Sequence, residues 1–234
     1  MFTAPGNVKP NFTTGWSAAP NTGVTFTVPD NWQGGRIWGR RDCDFSTNPG
    51  PNSCVDGGCN GGLVCDPVTG TGVPPATLAE FTLSAGGNTD FYDVSLVDGF
   101  NLPLRIDNNM GCTAPECAVD LNPNCPSPLK GPFDSSGAPV GCKSACFANL
   151  DGNQRLQHLT SVKFPPSNLN SFHNRKFPKL LLRVIRYARY MPKLCYFKNN
   201  CPTAYAYPYD DATALFTCSS SKSANFKVTF CPSS

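Results

Sequence analysis

No apolar run in these 234 residues approaches the roughly 18 that a membrane-spanning helix needs. The first residues, Phe2-Thr-Ala-Pro-Gly-Asn-Val-Lys9, contain no apolar core of a secretory leader, so the sequence reads either as a mature chain or as one whose start is missing. No two cysteines stand as C-x-x-C, the close pairing that structural zinc sites usually use, and neither a metal nor a cofactor is expected. There are only two histidines, His158 and His173, and both lie in one segment of foreign composition. A histidine-dependent Ser or Cys nucleophile is therefore not expected elsewhere in the chain. Internal repeats and low-complexity tracts are absent as well.

What is present is cysteine, 13 of them. Most sit in loops of small residues such as Asp56-Gly-Gly-Cys-Asn-Gly-Gly-Leu-Val-Cys-Asp66, which read as a disulfide framework made in an oxidising compartment. The odd count means that the framework cannot close completely. Asn11-Phe12-Thr13 is a glycosylation sequon, consistent with secretion. With 23 Pro and 21 Gly, short strands and many turns are expected rather than long helices. Alternation supports strands at Val24, Phe26 and Val28, at Leu102, Leu104 and Ile106, and at Phe226, Val228 and Phe230. A β-sandwich with cysteine-rich loops hung from it is the expected architecture.

Residues 155–194 depart from this composition. They hold nine of the 19 Lys/Arg and no acidic residue, so the rest of the chain carries 10 basic against 16 acidic residues. Within the segment, Arg183, Arg186 and Arg189 recur beside Leu181, Leu182, Ile185 and Ala188, the spacing of a short basic amphipathic helix. Such a helix would attract a membrane surface or nucleic acid. The abrupt change at both ends favours the plainer alternative, a divergent loop or translated non-coding sequence, and no nucleic-acid partner is expected.

Several strings carry a family resemblance: Phe26-Thr-Val-Pro-Asp-Asn-Trp32, Gly35-Arg-Ile-Trp-Gly-Arg-Arg-Asp-Cys43, Asp56-Gly-Gly-Cys59, Pro74-Pro-Ala-Thr-Leu-Ala-Glu-Phe-Thr-Leu83, Asp90-Phe-Tyr-Asp-Val-Ser-Leu-Val-Asp-Gly-Phe-Asn101, Gly141-Cys-Lys-Ser-Ala-Cys146, Asn200-Cys-Pro-Thr-Ala-Tyr-Ala-Tyr-Pro-Tyr-Asp210 and Val228-Thr-Phe-Cys231. In this order they resemble the thaumatin-like proteins, most of all the fungal ones, over most of residues 22–152 and 196–232. The resemblance implies a mainly β protein, a thaumatin-like flattened β-sandwich with disulfide-rich looped subdomains. Residues 1–234 would form one such domain. Its sandwich core would come from about 1–53, 73–111 and 208–234, a small disulfide loop from about 54–72, and a disulfide-rich subdomain from about 112–207, with the basic segment inside it.

The family's opening strand, with the cysteine that pairs with the last one, has no counterpart here, and its absence would expose a sheet edge. The implied disulfides are Cys43–Cys54, Cys59–Cys65, Cys112–Cys218, Cys117–Cys201 and Cys125–Cys142. Cys146, Cys195 and Cys231 are left over.

The family's acidic cleft is lined by one Arg, one Glu and three Asp, carried over as Arg40, Glu80, Asp93, Asp98 and Asp210. Glycoside hydrolysis needs one protonated carboxyl and one ionised carboxylate. Crowded carboxylates supply that difference, with Arg40 holding its nearest partner ionised. Glu80 is expected as the acid and Asp98 as the second carboxylate, with Asp93 and Asp210 shaping the field and holding sugar hydroxyls. By pattern alone, Asp98-Gly99 and Asp210-Asp211 read more readily as turn residues and Glu80 as a solvent-facing strand residue, and it is the resemblance that assigns them to the cleft. Phe91, Phe100, Tyr205 and Tyr207 are candidate sugar-stacking rings or else core.

The implied function is that of a secreted, monomeric, cell-wall-directed protein that binds β-1,3-glucan and hydrolyses it slowly. The alternatives are a non-catalytic glucan-binding or antifungal defence protein, or a non-functional gene product.

Overall fold

The computed structural model describes residues 1–46, 49–144, 148 and 196–233. The expectations for the basic segment 155–194, for both histidines and for Cys146 and Cys195 lie outside the described residues. Two antiparallel sheets form the body. The larger has the order β1-β2-β3-β4-β7, built from β1 (Phe2–Thr3), β2 (Gly35–Trp38), β3 (Leu78–Ala85), β4 (Thr89–Ser95) and β7 (Phe216–Ser219). The smaller has the order β6-β5-β8, from β6 (Glu116–Cys117), β5 (Leu104–Asn108) and β8 (Phe226–Phe230).

Strand alternation decides what each face of the larger sheet does. On one face Ala79, Phe81 and Leu83 of β3 and Tyr92 and Val94 of β4 are buried, and with Leu104 and Ile106 of the smaller sheet they form the main core. These are the residues expected of period-2 strands with one buried face. Residues of the other parity, Arg36, Glu80, Phe91 and Asp93, point away from that core. Near the start of β3 the outer face carries a second apolar cluster, in which Phe2, Trp38, Ala76 and Leu78 pack against Cys59 and Cys65 of the small disulfide loop.

Three expectations are corrected or refined here. Val24, Phe26 and Val28 lie in no strand. Phe26 instead stacks on Phe12 at 4.4 Å, with Trp16 edge-on to Phe12 at 5.4 Å; Phe26 and Val28 pack on the core from a loop, while Val24 is exposed. The edge of β2 is not bare, because Phe2 and Thr3 pair with Arg36 and Gly35. A two-residue strand offers little template for further pairing. Finally β6, within the stretch assigned to the disulfide-rich subdomain, pairs with β5 through Leu104 and Cys117 and so supplies the third strand of the smaller sheet.

Five disulfides link Cys43–Cys54, Cys59–Cys65, Cys112–Cys218, Cys117–Cys201 and Cys125–Cys142. These are the pairs that the resemblance implies. Cys112 and Cys218 are 106 residues apart and join the turn after β5 to β7. A crosslink of that span restricts the unfolded chain by about 4–5 kcal/mol in the loop-entropy view. Cys231 is free and exposed.

Candidate functional site

Register places three charged side chains in one row across the outer face. Arg36 of β2 lies opposite Glu80 of β3, and Glu80 lies opposite Asp93 of β4. Directly opposed residues share a face with Cβ atoms about 4.5–5.5 Å apart, so the three groups meet by construction. Arg36 Nε sits 2.8 Å from Glu80 Oε1. The Glu80 side chain keeps 27 % of its exposure, whereas Asp93 is only 9 % exposed and its Oδ1 has no hydrogen-bond partner.

Two neighbours extend the row. Ser95, two residues beyond Asp93 on the same face, hydrogen-bonds Glu80. Tyr205 lies alongside Ser95, its N–H donating to Val94 O at 2.9 Å and its carbonyl accepting from Leu96 N–H at 2.8 Å, so it prolongs the sheet past the end of β7. Its hydroxyl donates to Asp211 Oδ1 at 3.1 Å. Asp98 follows β4 in a turn that Ala76 N–H holds by donating to Asp98 O at 3.2 Å. The next residue must be glycine: Gly99 has φ of 92°, and a Cβ there would stand 2.8 Å from Cys142 O.

Electrostatics follow from one cation among several carboxylates. Burial raises the Glu80 pKa, the Asp98 charge raises it further, and Arg36 and Ser95 oppose both. Asp93 is pushed up to about 8, first by burial and then by the Glu80 charge, with Arg36 opposing and Asp211 adding to the rise. Burial raises Asp98 too, against the pull of Arg36. Tyr205 is raised by burial, by its bond to Asp211 and by the charges of Asp93, Asp211 and Asp210. All three carboxyl groups are thus pushed upward, first by burial, with the Arg36 guanidinium opposing the rise at each.

Arg40 is not part of this row. Its guanidinium donates to Gly62 O at 2.7 Å and Leu63 O at 2.6 Å, and it lies over the Phe45 ring at 5.3 Å. It fastens the small disulfide loop, and the cation on Glu80 is Arg36. The reason is local: β2 pairs only through Trp38, so the chain has left the sheet before Arg40.

Asp210, 3 % exposed, is committed inward. Lys198 Nζ lies 2.8 Å from its Oδ2, Ala206 N–H donates to that oxygen at 3.1 Å, and Thr213 Oγ1 donates to Oδ1 at 2.6 Å. It pins the turn before the short helix Asp211–Ala214, and the exposed Asp211 is the residue coupled to Asp93. Phe100 is fully buried in the core and unavailable to a sugar. Phe91 shares the outer face with Asp93, and Tyr207 is 38 % exposed.

A buried polar knot fixes the frame around the site. Asn101 donates to Asp56 Oδ1 at 2.8 Å and to Gly39 O at 3.0 Å, while its Oδ1 accepts from Thr77 N–H at 3.0 Å and Leu102 N–H at 2.9 Å. Arg41 lies 3.3 Å from Asp56 Oδ2 and donates to Asn101 O at 2.9 Å and to Val140 O. Asn101 Oδ1 therefore ties the start of β3 to the turn carrying Asp98, and Arg41 reaches across to residue 140.

Among the described residues, no group of three or more His, Cys, Asp or Glu is arranged to hold a metal ion, and no helix is long and apolar enough to cross a membrane. Arg36, Ser95 and Asp211 are the site residues that sequence reasoning missed. Counting registers outward from Glu80 would have found Arg36, since it shares parity with Trp38 on a strand ending at Trp38.

A profile of the Thaumatin family matches residues 1–175 and 189–232, leaving 176–188 between the two parts. The chain is 40 % identical over 225 residues to pathogenesis-related thaumatin-like protein 3.5 of Cryptomeria japonica, covering 94 % of this chain and 79 % of that protein. It is 39 % identical over 221 residues to pathogenesis-related protein 5 of Arabidopsis thaliana, covering 93 % and 79 %. Thaumatin-like protein 1 of Pyrus pyrifolia is 38 % identical over 225 residues, covering 94 % and 80 %.

Proposed function

The chain belongs to the thaumatin family, and from that premise we propose that it is a secreted, cell-wall-directed defence protein whose acidic outer face binds β-1,3-glucan and hydrolyses it slowly. Relatives named pathogenesis-related support the defence part. The single observation that carries the chemical part is the transverse row Arg36, Glu80, Asp93, in which two opposed carboxyl groups face away from the core and one of them is ion-paired with a guanidinium.

In this reading Asp93 supplies the proton to the departing glycosidic oxygen, because it holds one at neutral pH. Glu80, ion-paired with Arg36, is the partner that meets the anomeric carbon, the guanidinium opposing the rise of its pKa. This changes the roles expected from the sequence, where Glu80 was the acid and Asp98 its counterpart. Asp98 acts instead by repelling negative charge on Glu80, so that the pair shares protons. Tyr205, Asp211 and the half-buried Phe91 border the row and are placed to contact sugar hydroxyls and a ring face.

The test is reducing-end release from a linear β-1,3-glucan beside a pull-down on insoluble glucan, for the parent protein and Glu80→Gln. Hydrolysis should fall at least about a hundredfold in the variant while binding persists. A parent protein that binds glucan yet releases no reducing ends is a non-catalytic binder. One that does neither has no use for glucan at this face.

A further inference from the structure

We propose that Asn11 is an N-glycosylation site, modified in a eukaryotic secretory pathway. The proposal rests on the reading of the protein as secreted. Asn11-Phe12-Thr13 is the sole Asn-x-Ser/Thr sequence in the chain, and a single such match is common by chance. The fold adds what chance does not supply. No helix or strand lies between Thr3 and Gly35, so the sequon occupies the loop setting in which glycans are carried. Asn11 and Thr13 are exposed, and the half-buried Phe12 between them turns inward to stack on Phe26 and meet Trp16. Asn11, which receives the glycan, is exposed, the Thr13 hydroxyl donates to Gly15 O at 3.0 Å within the folded loop, and Phe12, which the transferase does not read, anchors the loop. A glycan at Asn11 therefore has solvent in front of it, and no packed element has to move to admit it.

The five disulfides place folding in the same oxidising compartment where the transfer occurs. In the reaction the side-chain amide nitrogen of Asn11 bonds to the anomeric carbon of a lipid-pyrophosphate-linked oligosaccharide. The bond from that carbon to the pyrophosphate oxygen breaks, the pyrophosphate leaves with the electron pair, and the amide proton passes to a base of the transferase.

The experiment is expression of the full chain behind a cleavable leader in a eukaryotic host, followed by intact-mass measurement with and without peptide-N-glycosidase. The expected protein is heavier than its 25.1 kDa of polypeptide and loses the excess on digestion, with deamidation at position 11. Asn11→Gln and Thr13→Ala should abolish the excess, while Thr13→Ser should keep it, which a merely structural role of the loop would not produce. Secreted protein at the polypeptide mass overturns the proposal, as does an excess that survives Asn11→Gln. Because the leader is supplied, either failure counts against this site alone. The secretion reading is tested separately, by the presence of the protein in the extracellular fraction of its own host.

Discussion

Replacing Asp93 by asparagine should make the protein more stable and less active at once. The carboxyl is almost wholly buried, one of its oxygens has no partner, and its pKa stands at about 8 against 3.8 for a free side chain. Between those two values the unfolded chain has released the proton and the folded protein still binds it. Stability therefore falls as pH rises, by about 1.4 kcal/mol per unit while that difference lasts. It is fully present below the unfolded value and is lost as pH climbs toward the folded one. Over the roughly three units from 3.8 to neutrality the loss is on the order of 4 kcal/mol.

Asparagine keeps the shape and never ionises, so Asp93→Asn should remove this slope. At neutral pH the gain corresponds to a thermal midpoint higher by about 10 °C, at about 2–4 °C per kcal/mol for a chain of this size. At pH 4 the two proteins should melt together. The assay is thermal denaturation of disulfide-intact protein from pH 4 to 8, with glucan hydrolysis measured alongside and expected to drop at least about a hundredfold. An asparagine variant that melts at or below the parent at pH 7, or a difference that does not grow with pH, would refute the assignment of the proton to Asp93.

The two arginines should separate cleanly. Arg36→Gln leaves folding nearly intact, since the side chain is 42 % exposed, but it removes the cation opposing the rise of the Glu80, Asp93 and Asp98 pKa values and so moves the acid limb of any pH–rate profile upward. Arg40→Gln strips charged donors from the Gly62 and Leu63 carbonyls and should cost about 2–3 kcal/mol in chemical denaturation with no change in that limb. Asp210→Asn breaks the ion pair with Lys198 around a buried carboxylate, which should lower stability by about 3 kcal/mol while hydrolysis per folded molecule stays near the parent value. Asn101→Ala removes the Asn101 donor from Asp56 Oδ1 and the acceptor of the Thr77 N–H, leaving Arg41 on Asp56 Oδ2, and should cost about 2–3 kcal/mol, read from the denaturation midpoint.

The sandwich was legible wherever alternation coincided with a partner strand, as at Leu104 and Ile106 or Phe226 to Phe230. At Val24, Phe26 and Val28 the same alternation has no strand to bond: Phe26 and Val28 lie on the core in a loop beside Phe12 and Trp16, and Val24 is exposed. Periodicity reports burial of alternate side chains and says nothing about the other half of a ladder. The site shows the same limit more sharply. Arg36 and Arg40 share parity in one short string, and only the end of β2 at Trp38 decides which reaches Glu80. Asp210 and Asp211 are adjacent, and their division of labour depends on Lys198 and Ala206, contacts that local sequence does not encode.

The position of the acidic row also explains why so small a protein can carry it. An antiparallel sheet needs only one face in the main core, so Tyr92 and Val94 satisfy that core while Phe91, Asp93 and Ser95, interleaved with them, face the other side. Grouping carboxylates there is unfavourable, and a sheet held by ladder bonds alone would relieve the repulsion by splaying its strands. Three constraints oppose that movement: Arg36 bonded across to β3, the Asn101 contacts that hold the Asp98 turn against Thr77, and the Cys112–Cys218 crosslink that fastens β7 beside β4. With the strands held together, burial and crowding push the pKa values of these carboxyl groups upward. A carboxyl that keeps its proton at neutral pH is the group that the proposed hydrolysis needs.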